Sequence, residues 1–246
     1  MTAMRVTFLG TGDAFSAGGR RHASYLVQWP GGTYLLDCGP TILGSFRQLG
    51  LSCGPIDAVV LSHLHGDHFA GLPFLFLEYT YVEPRRRPLR IAGPLGSRTR
   101  VMALLEEMYP GTEKELPFEL AFTEMLPNQV HHFGPVTVQP FSVPHQEGQS
   151  CFGLVLEAAG KKIVYSGDTG WTEELVTRTR SADLFIAECT LFETRMSSHL
   201  DYPCLLENRG RFGAKRMILT HIGQEVLARI ADVHMEVAYD GLTIDC

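Results

Sequence analysis

The sequence predicts an α/β fold in which two packed β-sheets carry helices on their outer sides. Short runs rich in Val, Ile, Leu and Phe occur in consecutive groups in both halves of the chain, and helical patterns separate these groups. A doubly wound parallel sheet would instead alternate strand and helix strictly. The segment VQWPGGTYLLD predicts a hairpin that turns at Pro30, Gly31 and Gly32.

The individual elements follow from hydrophobic periodicity and from the residues that end each run. The predicted strands are Arg5–Leu9, Ser24–Gln28, Thr33–Asp37, Asp57–Leu61, Leu89–Ala92, Val136–Val143, Phe152–Glu157, Lys162–Ser166, Asp183–Ala187, Arg216–Thr220 and Glu236–Tyr239. The predicted helices are Pro40–Leu49, Phe69–Tyr81, Gly96–Met108, Thr172–Arg180, Tyr202–Phe212 and Gly223–Ala231. No repeat of solenoid length interrupts them, so we expect one domain over residues 1–246.

Composition and charge narrow the classes of function. The 246 residues carry 21 Lys and Arg against 27 Asp and Glu, and this net charge of −6 argues against a general nucleic-acid-binding surface. We expect a cytoplasmic protein, because the N-terminus has no signal-peptide pattern and no apolar run reaches the roughly 18 residues of a membrane span. The six cysteines are scattered without a CxxC pair, which argues against a zinc ribbon or a thioredoxin-type motif.

The segment LSHLHGDHFAGL places four polar side chains with metal-binding chemistry between apolar residues. Side chains two apart in an extended segment point the same way, so His63 and His65 can converge on one ion. Gly66 allows a turn, after which Asp67 and His68 face a second point nearby. Imidazoles with a carboxylate are ligands of zinc, manganese or iron.

Three later strands end at a residue of the same chemical type. Val138–Val143 leads to His145, IVYSGDTG presents Asp168, and MILTHIG presents His221. Loops at strand ends, held by a rigid scaffold, often carry functional residues. An isolated His145 would be weak evidence, but the six-residue cluster HLHGDH makes separate structural roles a poor explanation for the set.

These residues resemble the metallo-β-lactamase superfamily. HLHGDH matches the HxHxDH motif of that family, and the segments FLGTGDAF and AYDGLTI are similar to the two ends of the ribonuclease Z branch. The resemblance implies a four-layer αββα sandwich with two mixed sheets and two divalent metal ions, for which we expect zinc, with manganese or iron as alternatives. It assigns His63, His65 and His145 to one ion, Asp67, His68 and His221 to the other, and Asp168 to a bridging position.

A further histidine, His199 in SSHLDY, occupies the place where ribonuclease Z-like phosphodiesterases carry the residue thought to protonate the leaving oxygen. A positioned acid contributes about 10²–10⁴-fold when an alkoxide must leave. The alternative is that His199 only caps the helix after it. In the expected mechanism a metal-bridging hydroxide attacks phosphorus, Asp67 accepts the proton of the hydroxide, and His199 donates one to the leaving oxygen.

The spacing between His145 and Asp168 departs from ribonuclease Z. Those enzymes insert a long transfer-RNA-gripping arm there, whereas only 22 residues separate the two positions here. The spacing resembles small-substrate phosphodiesterases, such as the cyclic-phosphate phosphodiesterase of phosphonate breakdown, although the cysteine-rich zinc site of that enzyme is missing. We therefore expect a phosphodiesterase of a small or cyclic phosphodiester. The alternatives are a hydrolase of thioesters, lactones or β-lactams, a tRNA 3′-processing endonuclease, and a non-hydrolytic di-iron or sensing protein.

Several residues near these motifs keep two interpretations. The run Arg85-Arg86-Arg87 is either a phosphate-gripping loop or a solvated face, and the second is commoner. Asp13 and Glu188 are candidates for orienting a metal ligand, with a structural turn the commoner role for Asp13. The apolar stretch Phe69–Arg90 is a lid, a dimer contact or a core helix, of which the core helix is commonest. Related enzymes are often dimers, so a homodimer stays open.

Overall fold

The computed structural model describes residues 4–246, and the first three residues of the predicted domain lie outside the described ones. Within residues 4–246 the chain forms thirteen strands and seven α-helices. The strands are β1 (Arg5–Gly10), β2 (Ser24–Trp29), β3 (Gly32–Leu36), β4 (Ala58–Val60), β5 (Leu89–Gly93), β6 (Leu120–Glu124), β7 (His131–Phe133), β8 (Val136–Ser142), β9 (Phe152–Ala158), β10 (Lys161–Tyr165), β11 (Leu184–Glu188), β12 (Arg216–Thr220) and β13 (Thr243–Asp245). The helices are α1 (Ile42–Gln48), α2 (Gly66–Phe69), α3 (Leu72–Tyr81), α4 (Ser97–Met108), α5 (Glu173–Arg178), α6 (Tyr202–Asn208) and α7 (Gln224–Ala228).

The strands form two mixed sheets. The first has the order β13-β1-β2-β3-β4-β5-β6, antiparallel from β13 to β3 and parallel from β3 to β6. The second has the order β12-β11-β10-β9-β8-β7, parallel from β12 to β10 and antiparallel from there to β7. The predicted hairpin is confirmed as β2 and β3, which meet at the pair Trp29 and Gly32.

Apolar side chains alternate between two faces of each sheet because successive residues of a strand point in opposite directions. In β2, Tyr25 and Val27 enter a core shared by the two sheets, whereas Leu26 joins a second core beneath α1, α3 and α4. In β10, Ile163 enters the shared core, and Val164 joins a third core beneath α5, α6 and α7. The predicted αββα layering is therefore confirmed: both sheets are buried on both faces.

The predicted helix Phe69–Tyr81 is wrong in its start, because the chain forms α2 and α3 with a break between them. At the break, the amide of Gly71 donates to the carbonyl of Cys38 at 2.8 Å, and a Cβ at Gly71 would lie 2.2 Å from the carbonyl oxygen of Gly39. This close approach ties the segment after the HLHGDH motif to the end of β3. Helix α3 is a core helix, since Leu75, Phe76 and Tyr79 are fully buried.

The predicted strand Glu236–Tyr239 is wrong, because this segment makes only an isolated bridge between Val237 and Leu219. The last strand is β13, which pairs with β1 at the edge of the first sheet. Strands β6 and β7 were not predicted, since they are short edge strands of mixed polarity without an apolar run. Among residues 4–246, no helix has the length and apolarity needed to cross a membrane.

The arginine run after α3 is structural. Arg85 is only 4% exposed, and its guanidinium donates to the carbonyls of Ile56, Arg87 and Pro88 at 2.8–2.9 Å. Arg87 pairs with Asp57 and donates to carbonyls of the same loop. The two side chains therefore fasten the loop after α3 to the loop before β4, and their guanidinium groups are occupied by protein carbonyls and a carboxylate.

Replacing Arg85 by alanine is expected to lower the free energy of unfolding by about 2–4 kcal/mol, because buried carbonyls lose their charged donor. The loop lies away from the site described below, so kcat should change little. Urea unfolding followed by circular dichroism measures the effect, and Arg86→Ala, at an exposed neighbouring position, is the matched control. Equal stability of the two variants would contradict the structural role of Arg85.

Candidate metal centre

The segments that follow β4, β8, β10 and β12 meet at one edge of the sandwich. They bring all seven predicted side chains together in two groups, the donor atoms of each lying within 4.8 Å of one another. The first group is His63, His65 and His145, and the second is Asp67, His68, Asp168 and His221.

Asp168 lies between the two groups and is 3% exposed. Its Oδ2 atom is 3.3 Å from the Nε2 atoms of both His68 and His221 in the second group. The same oxygen is 3.8 Å from Nε2 of His63 and 3.9 Å from Nε2 of His145 in the first group. One carboxylate therefore approaches imidazole nitrogens of both groups.

In the first group, hydrogen bonds fix which ring nitrogen of His145 and of His65 carries the proton. His145 donates from Nδ1 to the carbonyl of Ser198 at 2.8 Å, and His65 donates from Nε2 to the amide oxygen of Gln146 at 2.6 Å, because both acceptors can only accept. The opposite nitrogens, Nε2 of His145 and Nδ1 of His65, then carry lone pairs and face each other at 2.9 Å. Two such lone pairs repel each other unless a cation lies against them.

The same reasoning applies to His63 and His68 through a buried carboxylate, Asp37. Ser62 donates its hydroxyl proton to Asp37 at 2.8 Å, so its oxygen accepts from Nδ1 of His63 at 3.0 Å. His68 donates from Nδ1 to Asp37 at 2.8 Å, and Tyr165 donates to the same carboxylate oxygen at 2.8 Å. The Nε2 atoms of both histidines are thereby turned toward the site.

His221 is held by a chain of two hydrogen bonds. Thr190 donates its hydroxyl to Glu188 at 2.8 Å, and the threonine oxygen accepts from Nδ1 of His221, also at 2.8 Å. With its Nδ1 proton held by Thr190, His221 turns Nε2 toward the site, 3.3 Å from Oδ2 of Asp67. His221 itself adopts a left-handed backbone conformation with φ of 52°.

Nitrogens of five imidazoles and oxygens of two carboxylates thus converge on a small buried volume. Two atoms there, Nε2 of His63 and Oδ1 of Asp168, are buried and have no hydrogen-bond partner. Buried polar atoms without partners cost kilocalories, and converging acceptors are compensated only by cations. Imidazole nitrogens with carboxylate oxygens are the donor set of divalent zinc, manganese and iron, so the residues present fit such ions.

The two groups differ in charge. Burial lowers the pKa values of His63 and His145 in the first group and so favours their neutral forms. In the second group, burial acts to raise the pKa of Asp168, but His221 and His68 outweigh it and hold that pKa well below its usual range. Burial likewise acts to lower the pKa of His221, but Asp168 and the hydrogen bond with Asp67 raise it to about 9. The second group therefore attracts a positive charge, from a proton or a metal ion, more strongly than the first group does.

His199 lies beside both groups. Its ring centroid is 4.8 Å from that of His145, and its Nδ1 donates to Glu188 at 2.8 Å. Burial acts to lower the pKa of His199, but the hydrogen bond and charge of Glu188 raise it above its usual value. His199 does not cap the following helix, because Asp201 accepts from the amide of Cys204 at the start of α6.

Several residues that orient the site were not predicted. Asp37, Gln146 and Thr190 each contact the outer nitrogen of a candidate ligand, as partners of metal-binding histidines commonly do. The pattern that predicted Asp168, a carboxylate just after an apolar run, also occurs at Asp37, which ends the apolar strand TYLLD. Asp13, in contrast, accepts from the amides of Phe15 and Ala17 and so holds its own turn.

Fold and donor set define a protein of the metallo-β-lactamase fold and the ribonuclease Z-like type, with side chains that fit divalent metal ions. Residues 4–239 match the family described as anti-Pycsar protein Apyc1, and the chain belongs to this family.

Relatives and solved structures agree with this class. The ribonuclease Z of Lachnoclostridium phytofermentans is 33% identical over 270 residues, covering 88% of this chain and 86% of the relative. The structure of the short form of human tRNase Z superposes with a TM-score of 0.79 at 26% identity, over 98% of both chains. A diphosphatase of the PhnP family has the same fold, with a TM-score of 0.78 at 18% identity over 99% of this chain and 98% of that one. The chain spans only 31% of the mitochondrial ribonuclease Z of Drosophila melanogaster, to which it is 29% identical.

Proposed function

We propose that the protein is a dinuclear metal-dependent phosphodiesterase acting on a small or cyclic phosphodiester. In this proposal His63, His65 and His145 would hold one divalent ion, Asp67, His68 and His221 would hold the other, and Asp168 would contribute to both. The observation that carries the proposal is the convergence of five imidazole rings and two carboxylates on one buried volume, with His199 beside them.

The ions, when bound, supply Lewis acidity to a water molecule and to the phosphoryl oxygens, with zinc the first choice and manganese or iron the alternatives. The side chains of the chain supply the proton transfers. Asp67 lies 3.2 Å from Nε2 of His68 and 3.3 Å from Nε2 of His221 and keeps 10% exposure, so water can reach its carboxylate, and in this proposal it accepts the proton of the attacking water. His199 donates a proton to the leaving oxygen, and Glu188 orients its ring and favours its cationic form.

The segment between His145 and Asp168 supports a small substrate. Most of it is β9 and β10, which pair with each other in the interior of the second sheet. Their connection is a tight turn at Ala159 and Gly160, both in the left-handed backbone region. This segment therefore has no arm that could hold a folded RNA, and the net charge of −6 adds no general attraction for one.

The proposal is tested with metal-free protein reloaded with zinc or manganese. Bis(p-nitrophenyl) phosphate and a cyclic nucleoside monophosphate represent the proposed class; a precursor tRNA, a thioester and nitrocefin represent the alternatives. We expect multiple turnovers on at least one of the two phosphodiesters and none on the thioester or nitrocefin. Turnover confined to the carboxyl-type substrates would contradict the proposal, and a preference for the precursor tRNA would favour 3′-processing.

A further inference from the structure

In four of the five candidate histidine ligands, the outer ring nitrogen, which points away from the site, contacts a buried or partly buried side chain or a backbone carbonyl. The outer nitrogens of His63 and His221 contact hydroxyls that themselves donate to buried carboxylates, and that of His145 donates to a backbone carbonyl. His65 differs. Its outer nitrogen, Nε2, donates to the side-chain amide of Gln146, a surface residue on the loop that follows His145.

The Gln146 contact decides which nitrogen of His65 is available to an ion. A neutral imidazole has one proton, and a proton on Nε2 leaves the lone pair on Nδ1. Nδ1 is the atom that faces Nε2 of His145 at 2.9 Å. Without an acceptor at Gln146, the tautomer with the proton on Nδ1 would direct an N–H toward the other ligands of the group and would compete with an ion there.

We propose that Gln146 is a positioning residue for His65, and that its contact sets the affinity of the three-histidine group for its ion. This inference rests on the proposed function, because it presumes an ion at that group. It also predicts that the three-histidine group is the more easily emptied of the two, since it shares Asp168 with the second group, has no counterpart of Asp67 and depends on an exposed amide.

The effect should be confined to one of the two ions. The outer contacts of His68 and His221 run to Asp37 and Thr190, neither of which contacts Gln146. Partners of this kind contribute about 10–100-fold to metal affinity. We therefore expect Gln146→Leu, which keeps the approximate size of the side chain but removes the acceptor, to weaken the weaker of two zinc-binding steps at least about tenfold and to leave the tighter step unchanged.

The experiment is competition between the metal-free protein and a chromophoric zinc chelator, which yields both binding constants without any activity measurement. Gln146→Glu restores an acceptor at the same reach and should recover the wild-type affinity or exceed it. Gln149, on the same exposed loop, contacts Arg100 at 3.3 Å rather than a candidate ligand. Gln149→Leu therefore controls for a change of the loop, and Gln149→Glu controls for the added charge.

A second readout separates positioning from a general loss of structure. Cadmium-113 NMR of the protein with two ions bound should show two resonances, of which Gln146→Leu shifts one. The inference is overturned if Gln146→Leu binds both ions as the wild type does, if Gln146→Glu fails to rescue, or if both steps weaken equally. Wild-type protein that binds fewer than two ions would instead overturn the proposed dinuclear function itself.

Discussion

Replacing Asp168 by alanine is expected to lower kcat/KM for a phosphodiester by about 10³-fold or more. The carboxylate of Asp168 approaches nitrogens of both histidine groups, from 3.3 Å in the second to 3.8–3.9 Å in the first. Its loss removes a negative charge from a site where lone pairs already face one another. Metal-assisted catalysis is worth several kcal/mol, and about 1.4 kcal/mol corresponds to a factor of ten.

The measurement is kcat/KM with bis(p-nitrophenyl) phosphate, together with metal content by elemental analysis of the same samples. Asp183→Ala is the matched control, because Asp183 is also a largely buried aspartate of the second-sheet region, but its partners are Lys161 and Lys215. The control should lower stability without lowering metal content. An Asp168→Ala variant that retains two ions and full activity would show that Asp168 is not the bridging carboxylate.

The sequence predicted the candidate ligands because each depends on a local pattern. A strand that is buried on both faces consists of apolar residues, so ligand-type polar residues appear only after it ends. His145, Asp168 and His221 each come shortly after such a run of Val, Ile, Leu or Phe. The strands of the second sheet then bring these three residues to one edge of the sandwich. Short edge strands such as His131–Phe133 lack such a run, so their pattern was not recognised.

The residues that hydrogen-bond to the outer nitrogens of the candidate ligands could not be predicted in the same way, because the packing of the two sheets determines which residues meet. Asp37 and Tyr165 are 128 positions apart, and they meet only because β3 and β10 lie in sheets that share a core. The break before α3 has a similar origin. The sequence around Gly71 is a good helical pattern, and the packing of its backbone against Gly39 ends the first helix there.

The same packing explains why the carboxylate of Glu188 can orient two residues of the site at once. One carboxylate oxygen accepts from His199, and the other accepts from Thr190, which holds His221. Both oxygens also accept from backbone amides, those of Thr169 and Thr190. A single buried carboxylate therefore orients the candidate acid and one candidate metal ligand, which couples the position of the proton donor to that of the second group.

Replacing His199 by alanine is expected to lower kcat by about 10²–10⁴-fold for a diester with an alkoxide leaving group. The loss should be much smaller for bis(p-nitrophenyl) phosphate, because p-nitrophenolate leaves readily without a proton. Metal content should stay at the wild-type value, since His199 lies beside His145 and is not one of the seven side chains proposed to hold the ions.

The difference between the two substrates is the decisive quantity, because it separates proton donation from support of the site. A structural defect would lower the turnover of both diesters equally, whereas a missing acid penalises the poorer leaving group. His132→Ala, at an exposed position of β7, controls for the removal of an imidazole. If His199→Ala loses metal in parallel with activity, or slows both substrates alike, His199 holds the site together, and the proton reaches the leaving oxygen from another group.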